Sequence, residues 1–396
     1  MNLVVISHKL YYEYQGCYTT TGAAPIQMDA LAPYFDRITL SVPVQKDTPF
    51  HGTACQALNI RFHPLPVHRG RWDFLRLLPQ YIRAIRKALT QADVILVMLP
   101  GYIGALGSIM ARRSNIPMFQ MIVSDWGKLF RVRSKSPTRR LVAPVVSLLI
   151  NPLMQYLTRG VLCFYTGKVL YNVDDPLQNT RVSSSISDGN IYARSDTCQS
   201  PPYRLLFVGR LVVEKGVSYL LQAVSALRND RFDIELHIVG DGILQSQLEA
   251  EAEALDVASQ TQFWGFVPQG EPLSKLYRAS DMLILPSLQE QQGKVLLEAM
   301  ANSLPVIASN IGGISTIVRH EWNGLLVPPC DPCAISQAIA RLIKDGSLRK
   351  RLINKGLEFA RQHTVERETE KMMHIVRSHY PHLFASFRGE TKGDLS

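Results

Sequence analysis

Cysteine is scarce: six residues in 396, too few and too scattered for a disulfide scaffold, which points to a reducing compartment. The opening MNLVVISHKL lacks the basic start, long apolar core and small-residue cleavage site of a secretory signal, so a cytoplasmic protein is expected. No apolar run reaches the roughly 20 residues that a bilayer-spanning helix needs. The third glycine of a dinucleotide fingerprint is missing after Gly240-Asp241-Gly242, which argues against a dehydrogenase. Cys330-x-x-Cys333 has no second ligand pair at zinc spacing, and neither a metal nor a cofactor is expected. His63 and His68, five apart near prolines, read as structural. What is abundant is apolar side chain, 46% against 19% charged, which excludes a disordered chain and, at this length, suggests two or three domains.

Acidic residues are also unevenly spread. Residues 1–200 hold 22 basic and 11 acidic side chains, a surplus of 11, whereas the remainder holds 21 and 22. Such asymmetry is expected when one domain meets an anionic partner and the other does not. From Lys128 to Arg140, the cations Lys128, Arg131, Arg133, Lys135, Arg139 and Arg140 stand without an acid, directly before LVAPVVSLLINPLMQYL at Leu141 to Leu157. Pro144, Asn151, Pro152 and Gln155 break that segment too often for it to span. It suits a protein lying on an anionic lipid surface, or a solvated loop before a buried helix. A nucleic-acid partner is not expected, since Phe130 is the run's only aromatic and no reading module is recognisable.

Short apolar runs alternate with helical spacing. In the C-terminal half, strands are expected at Tyr203 to Val208, Ile234 to Val239, Gln262 to Val267, Asp281 to Pro286 and Pro305 to Ser309. Helices follow at Val217 to Leu227, Pro272 to Ala279 and Lys294 to Ala301. The N-terminal half offers strands at Leu3 to Ser7, Ile38 to Val42, Val94 to Leu99 and Pro117 to Val123, with a helix over Trp72 to Leu89 that Pro79 can kink. This is α/β with parallel sheets covered on both faces. Residues 183–202, rich in Ser, Asp and Pro, read as an interdomain linker with the boundary near Tyr192 to Pro202. Two doubly wound domains place chemistry in the loops after the strands.

After the first strand of the second half comes Gly209-Arg210-Leu211-Val212-Val213-Glu214-Lys215-Gly216. Arg210 and Lys215 together suit a diphosphate, although a basic pair beside a glycine is also common on solvated surfaces. In Pro286 to Met300, Glu290 sits in the loop after a strand and Gly293 opens a helix whose free N–H groups can bind phosphate. Glu298 falls about one and a half turns into that helix, among Val295, Leu296 and Leu297. A carboxylate there needs a partner: ligand hydroxyls, or an ordinary salt bridge.

Here the chain resembles the retaining, nucleotide-sugar-dependent glycosyltransferases of the GT-B fold that carry a Glu-x7-Glu motif, the spacing of Glu290 and Glu298. The likeness takes in LLFVGRLVVEKGVSYLLQAV, LHIVGDG, FWGFVPQ, SDMLILPS, LLEAMANSLPVIASNIGGI and NGLLVPPCDP, in that order, from residue 203 to about 333. Before residue 190 it is limited to the opening strand, the Gly22 loop and the SDGN turn at Ser187 to Asn190. The resemblance implies two Rossmann-like domains facing across a cleft: an acceptor-binding domain over 1–192, a donor-binding domain over 203–365, and a helix over 366–385 that can cross back to the first.

It also implies roles. Arg210 and Lys215 would bind the donor diphosphate, Glu290 the sugar hydroxyls and Glu298 the ribose. Backbone N–H groups of Gly293, Lys294 and Val295 would meet the diphosphate, Phe266 and Val267 would lie along the base, and Gly22, Gly209 and Gly240 complete the donor-binding set. The catalytic set would be Glu290, Arg210, Lys215 and Asp125, with no metal, because cations supply the charge stabilisation.

Four departures stand out. Thr316 replaces a glutamate after Gly312-Gly313-Ile314-Ser315, and Ser303 replaces a glycine. Gln291 and Gln292 replace a glycine and an aromatic. Val123-Ser124-Asp125-Trp126-Gly127 stands where many members have a histidine, so Asp125 either contacts the sugar or caps a helix.

The implied activity is transfer of a sugar, with retention, from a UDP- or GDP-sugar to a hydroxyl of an acceptor glycan, lipid-linked, in cell-surface polysaccharide biosynthesis. The protein would be peripheral on the inner face of the membrane through its basic N-terminal domain. The alternatives are a non-catalytic nucleotide-binding partner subunit with a degenerate site, and a nucleotide-sugar epimerase, whose product keeps the diphosphate bond.

Overall fold

Where the sequence switches between apolar runs and helical spacing, the chain alternates strand and helix. The computed structural model describes residues 1–50, 52–123, 152–166 and 174–387. It divides into two units, Met1–Arg181 together with the chain from Glu368 onward, and Val182–Arg367.

The first unit carries β1 (Asn2–Ile6), β2 (Tyr11–Tyr14), β3 (Cys17–Thr20), β4 (Arg37–Gln45), β5 (Thr53–Ala54), β6 (Ile60–Leu65), β7 (Val94–Leu99), β8 (Met118–Ile122), β9 (Leu162–Thr166) and β10 (Gln178–Arg181). They form one sheet in the order β10-β9-β8-β7-β1-β4-β2-β3-β5, with β6 also on β4. Pairing is parallel except within the β2–β3 and β3–β5 pairs. The β2–β3 hairpin had no counterpart in the sequence reading. Its signal is the two-residue turn Gln15-Gly16, both at positive φ, which matches strand twist. The helices are α1 (Ala24–Leu31), α2 (Arg71–Leu89) and α3 (Tyr102–Arg112). Helix α2 runs unbroken through Pro79, which sits on its exposed side, the side on which a missing backbone hydrogen bond is made up by water.

Of the apolar segment Leu141 to Leu157, only 152–157 lies within the described residues. There the chain is helical, Leu157 is wholly buried, and Leu153 and Met154 pack against the core under α2 and α3. The basic run Lys128 to Arg140 lies outside the described residues. Among those described, no helix is long and apolar enough to cross a membrane.

The second unit carries β11 (Tyr203–Val208), β12 (Ile234–Val239), β13 (Thr261–Gly265), β14 (Met282–Leu285), β15 (Val306–Ser309) and β16 (Leu325–Val327), all parallel, in the order β13-β12-β11-β14-β15-β16. Helices α4 (Val217–Asn229), α5 (Gln245–Ala254), α6 (Glu271–Ala279), α7 (Lys294–Ala301), α8 (Pro332–Lys344) and α9 (Gly346–Gln362) connect and extend it. Strand centres such as Leu205 to Phe207, Leu283 to Leu285 and Val306 to Ala308 are fully buried, as continuous apolar runs in a parallel sheet should be. The chain walks outward from β11 to β13, then returns to the other side of β11 with β14. The switch point therefore lies at the carboxyl ends of β11 and β14.

The last helix, α10 (Val365–His379), buries Met372, Met373 and Val376 with Leu3, Val5 and Leu40 of the first unit.

The stretch read as a linker belongs to the second unit, and the division falls at Arg181 and Val182 rather than near Tyr192 to Pro202. Its polar composition serves anchoring. Arg194 donates to the carbonyls of Arg278 (3.0 Å) and Ser280 (2.6 Å), Cys198 N–H donates to Asp281 Oδ1 at 2.7 Å, and Asp196 accepts from Arg349 at 2.6 and 3.1 Å.

Candidate active site

Four loops leave the carboxyl edge of the second sheet, and their backbones are laced together. The amides of Leu288 and Gln289 donate to Glu214 O at 2.8 and 3.2 Å, Leu211 N–H donates to Asp241 O at 2.7 Å, and Gly313 N–H donates to Glu290 O at 3.3 Å. Such close approach leaves no room for side chains. A Cβ on Gly240 would lie 1.9 Å from Gly209 O, one on Gly216 2.2 Å from Pro286 O, and one on Gly313 1.4 Å from Gln291 O. Gly209 and Gly240 thus serve the packing of adjacent strand ends, with Gly240 at φ +128°.

At the switch point, Lys215 donates to Glu290 Oε2, and both side chains are largely buried. Arg210 lies exposed in the same loop as Lys215. Gly293, at φ +70°, opens α7 with no side-chain cap, Lys294 is exposed, and Val295 is half-buried against the core. An uncapped helix start beside two cations suits an anion with several oxygens. Phe266 is exposed beyond β13, while Val267 packs on the core. The unit thus groups Gly209, Arg210, Lys215, Gly240, Phe266, Val267, Glu290, Gly293, Lys294, Val295 and Glu298 on its loop edge and on α7.

Among the described residues, no ion pair of Glu298 is found, and its partners are hydroxyls and an amide. Ser185 Oγ donates to its Oε1, Tyr277 Oη to its Oε2 at 2.9 Å, and Gln269 Nε2 to Oε1 at 3.4 Å. Burial pushes its pKa above the usual carboxylate range, against the opposing pull of the Ser185 and Tyr277 hydroxyls and of the Lys294 charge. Burial also drives the Tyr277 hydroxyl well up, with Glu298 adding to it. A carboxylate held by hydroxyls can exchange them for the hydroxyls of a ligand, which one locked to a guanidinium cannot do at the same cost. Sequence reasoning did not find Ser185, Tyr277 or Gln269, because nothing local links them to Glu298.

The other two sequence-predicted residues do not belong to the described part of this unit. Gly22 belongs to the first unit, at φ +72° ahead of α1. Asp125 lies outside the described residues. Among the described residues no cluster of His, Cys, Asp and Glu could hold a metal.

Residues 193–359 match the family model described as glycosyl transferases group 1. Over these residues the chain is similar to the group 1 glycosyltransferases. Among similar proteins, the uncharacterized glycosyltransferase MJ1607 of Methanocaldococcus jannaschii is 36% identical over 187 residues, 47% of each chain. The amylovoran biosynthesis glycosyltransferase AmsK of Erwinia amylovora is 29% identical over 277 residues, 67% of this chain and 65% of that one. The aligned part covers less than half the length of the first curated relatives. Among solved structures, Anabaena Alr3699/HepE in complex with UDP superposes with a TM-score of 0.67 at 17% identity, over 96% of this chain and 100% of that one. The fold is GT-B, with Rossmann-like units.

Three of the departures from the family pattern have local physical accounts. Ser303 adopts φ +56°, the left-handed region that favours glycine. Its buried hydroxyl donates to Tyr192 O at 2.8 Å and accepts from Arg194 N–H at 3.1 Å, bonds a glycine cannot make. Gln292 is buried and accepts from Ser183 N–H at 2.7 Å. Thr316 Oγ1 closes its own turn on Gly313 O at 2.6 Å.

Proposed function

We propose that the protein is a retaining glycosyltransferase that moves a sugar from a nucleotide-diphosphate donor, a UDP- or GDP-sugar, to a hydroxyl of a lipid-linked acceptor glycan in cell-surface polysaccharide biosynthesis. The carrying observation is the Lys215–Glu290 pair at the switch point, with hydroxyl-held Glu298 eight residues on.

In this reading the donor diphosphate sits between Arg210, Lys215 and the uncapped start of α7. Lys215 shares its charge between Glu290 and the phosphate oxygens, and Glu290 offers its other oxygen, which accepts from Gln291 N–H at 3.2 Å, to the sugar hydroxyls. The ribose replaces the Ser185 hydroxyl on Glu298, and Phe266 covers the base. As the glycosidic bond breaks, negative charge grows on the departing diphosphate, where Arg210 and Lys215 stabilise it without a metal. The diphosphate takes the acceptor's proton on the face it leaves, which gives retention. UDP is favoured by the HepE complex, and a polysaccharide acceptor by the relative AmsK. Peripheral attachment to the inner membrane face follows from the basic surplus of residues 1–200.

Thermal denaturation with UDP, GDP and ADP, beside Arg210→Ala, tests the donor site. A ligand at a hundred times its dissociation constant stabilises by about 2.7 kcal/mol. One diphosphate should raise the melting temperature, and the variant should lose that rise. Absence of a shift with all three would overturn the donor site, and a shift without turnover on any lipid-linked glycan would leave a non-catalytic binding subunit.

A further inference from the structure

Helix α2 (Arg71–Leu89) buries Phe74, Tyr81, Ile85 and Ala88 on one side. On the other, Trp72 is 73% exposed and Leu75 52%, and Arg76, Arg83, Arg86 and Lys87 are exposed. At 100° per residue these six positions fall within an arc of about 120°, along about 22 Å of helix. No acid shares the arc. The helix's one acidic residue, Asp73, lies outside it and accepts from Arg69 N–H at 3.0 Å. The Arg71 guanidinium lies 5.5 Å from the Trp72 ring centroid. The stripe therefore has a wet tryptophan and leucine at its start and cations along its length.

We propose that this face of α2 is the surface through which the protein lies on an anionic lipid bilayer. The inference rests on the membrane part of the proposed function, gives it a place in the fold, and is independent of the Lys128 to Arg140 run. Charge complementarity selects the partner's sign, and the two apolar side chains select its kind. A tryptophan and a leucine on a convex helix gain from burial at a headgroup boundary, where an amphipathic ring has one wet and one apolar side. A nucleic acid would use the cations and leave the leucine in water.

The test is sedimentation of the full-length protein with vesicles of equal parts phosphatidylcholine and phosphatidylglycerol. Wild type should bind, and Arg76→Glu/Arg83→Glu should lower partitioning at least about ten-fold. The matched reversal Arg351→Glu/Arg361→Glu on exposed positions of α9 should lower it far less. Trp72→Ala/Leu75→Ala should remove the binding that survives high salt, and brominated lipid should quench wild-type fluorescence more than that of Trp72→Phe. All these side chains are exposed, so the UDP or GDP thermal shift should be unchanged in each variant and reports intact folding. Wild-type binding with no difference between the two charge reversals would overturn the α2 surface and keep the membrane reading. Failure of wild type to bind anionic vesicles would overturn both, and binding to single-stranded DNA but not to vesicles would reassign the stripe to a polyanion.

Discussion

Each unit buries one telling carboxylate, and the two are held differently. In the first, Glu368 on α10 is 4% exposed and paired with Lys371 at 2.8 Å, and its charge also supports the wholly buried Arg181 guanidinium. In the second, Glu298 is held by hydroxyls and an amide among the described residues. Buried ion pairs are costly to split, whereas hydroxyl partners can be exchanged. The first arrangement fixes a structure, and the second is suited to receiving one.

Substituting each glutamate by glutamine sharpens that difference. Glu368→Gln removes the charge that offsets buried Arg181 and the pair with Lys371, and should destabilise the protein by about 3 kcal/mol in chemical denaturation. Glu298→Gln keeps an acceptor oxygen for one of the two hydroxyls and an amide donor toward the other, which can turn to accept, so it should cost little stability near neutral pH, while nucleotide affinity falls about ten-fold. The pH dependence has a definite sign. The raised pKa of Glu298 means the folded state holds its proton more tightly than the unfolded state. Its contribution to stability is present below the ordinary carboxylate pKa and is lost as pH rises through the raised value. Nucleotide binding needs the ionised form and should move the opposite way, weakening as pH falls through the raised pKa. Titration calorimetry across that range should show a midpoint above the usual carboxylate value, absent in Glu298→Gln. Equal losses of stability in the two variants would erase the distinction.

Glycines give the next contrast. Gly313 has its Cβ direction filled by a neighbouring backbone carbonyl, whereas Gly22 in the first unit has φ +72° and nothing within 4 Å. Gly313→Ala should cost about 3 kcal/mol, because two backbones must part. Gly22→Ala should cost only the left-handed strain, about 1 kcal/mol. The melting temperatures should fall in that ratio, and equal shifts would mean that the loop lacing is soft.

The same contrast explains what was legible in the sequence. In the second unit, continuous apolar runs set strands β11, β12 and β15 to within a residue, the first two ending at glycines, and the ordered motifs located the switch-point loops. In the first unit β1, β4, β7 and β8 were as clear, but the parallel strands β6, β9 and β10 were not read, and the elements β2, β3 and β5 are short, with only the Gln15-Gly16 turn announcing the hairpin. The residues proposed to face the donor could be placed in their loops because the strand ends that precede them are legible. Their protein partners could not, since Ser185 lies 113 residues and Tyr277 21 residues from Glu298, and only the folded chain brings them together. Residues 183–202 misled for a related reason: serines, arginine and aspartate look like solvated linker until their hydrogen-bond partners are known.

The smallest expected effect separates backbone strain from hydrogen bonding. Asn115 in the first unit and Ser303 in the second both adopt left-handed backbone, at φ +53° and +56°. Asn115 is exposed, and asparagine tolerates that region, so Asn115→Gly should change stability by less than about 1 kcal/mol. Ser303 is buried and bridges Tyr192 O and Arg194 N–H. Ser303→Gly relieves strain of about 1 kcal/mol but gives up two hydrogen bonds of about 1 kcal/mol each, so a net loss of about 1 kcal/mol is expected. Ser303→Ala keeps the strain and loses both bonds, and should cost about 2 kcal/mol. Thermal denaturation of the three variants should therefore rank Asn115→Gly, Ser303→Gly and Ser303→Ala in order of increasing loss. If glycine at 303 proved more stable than serine, the hydroxyl bridge would contribute less than the backbone costs, and the serine would need an explanation other than anchoring residues 192–194.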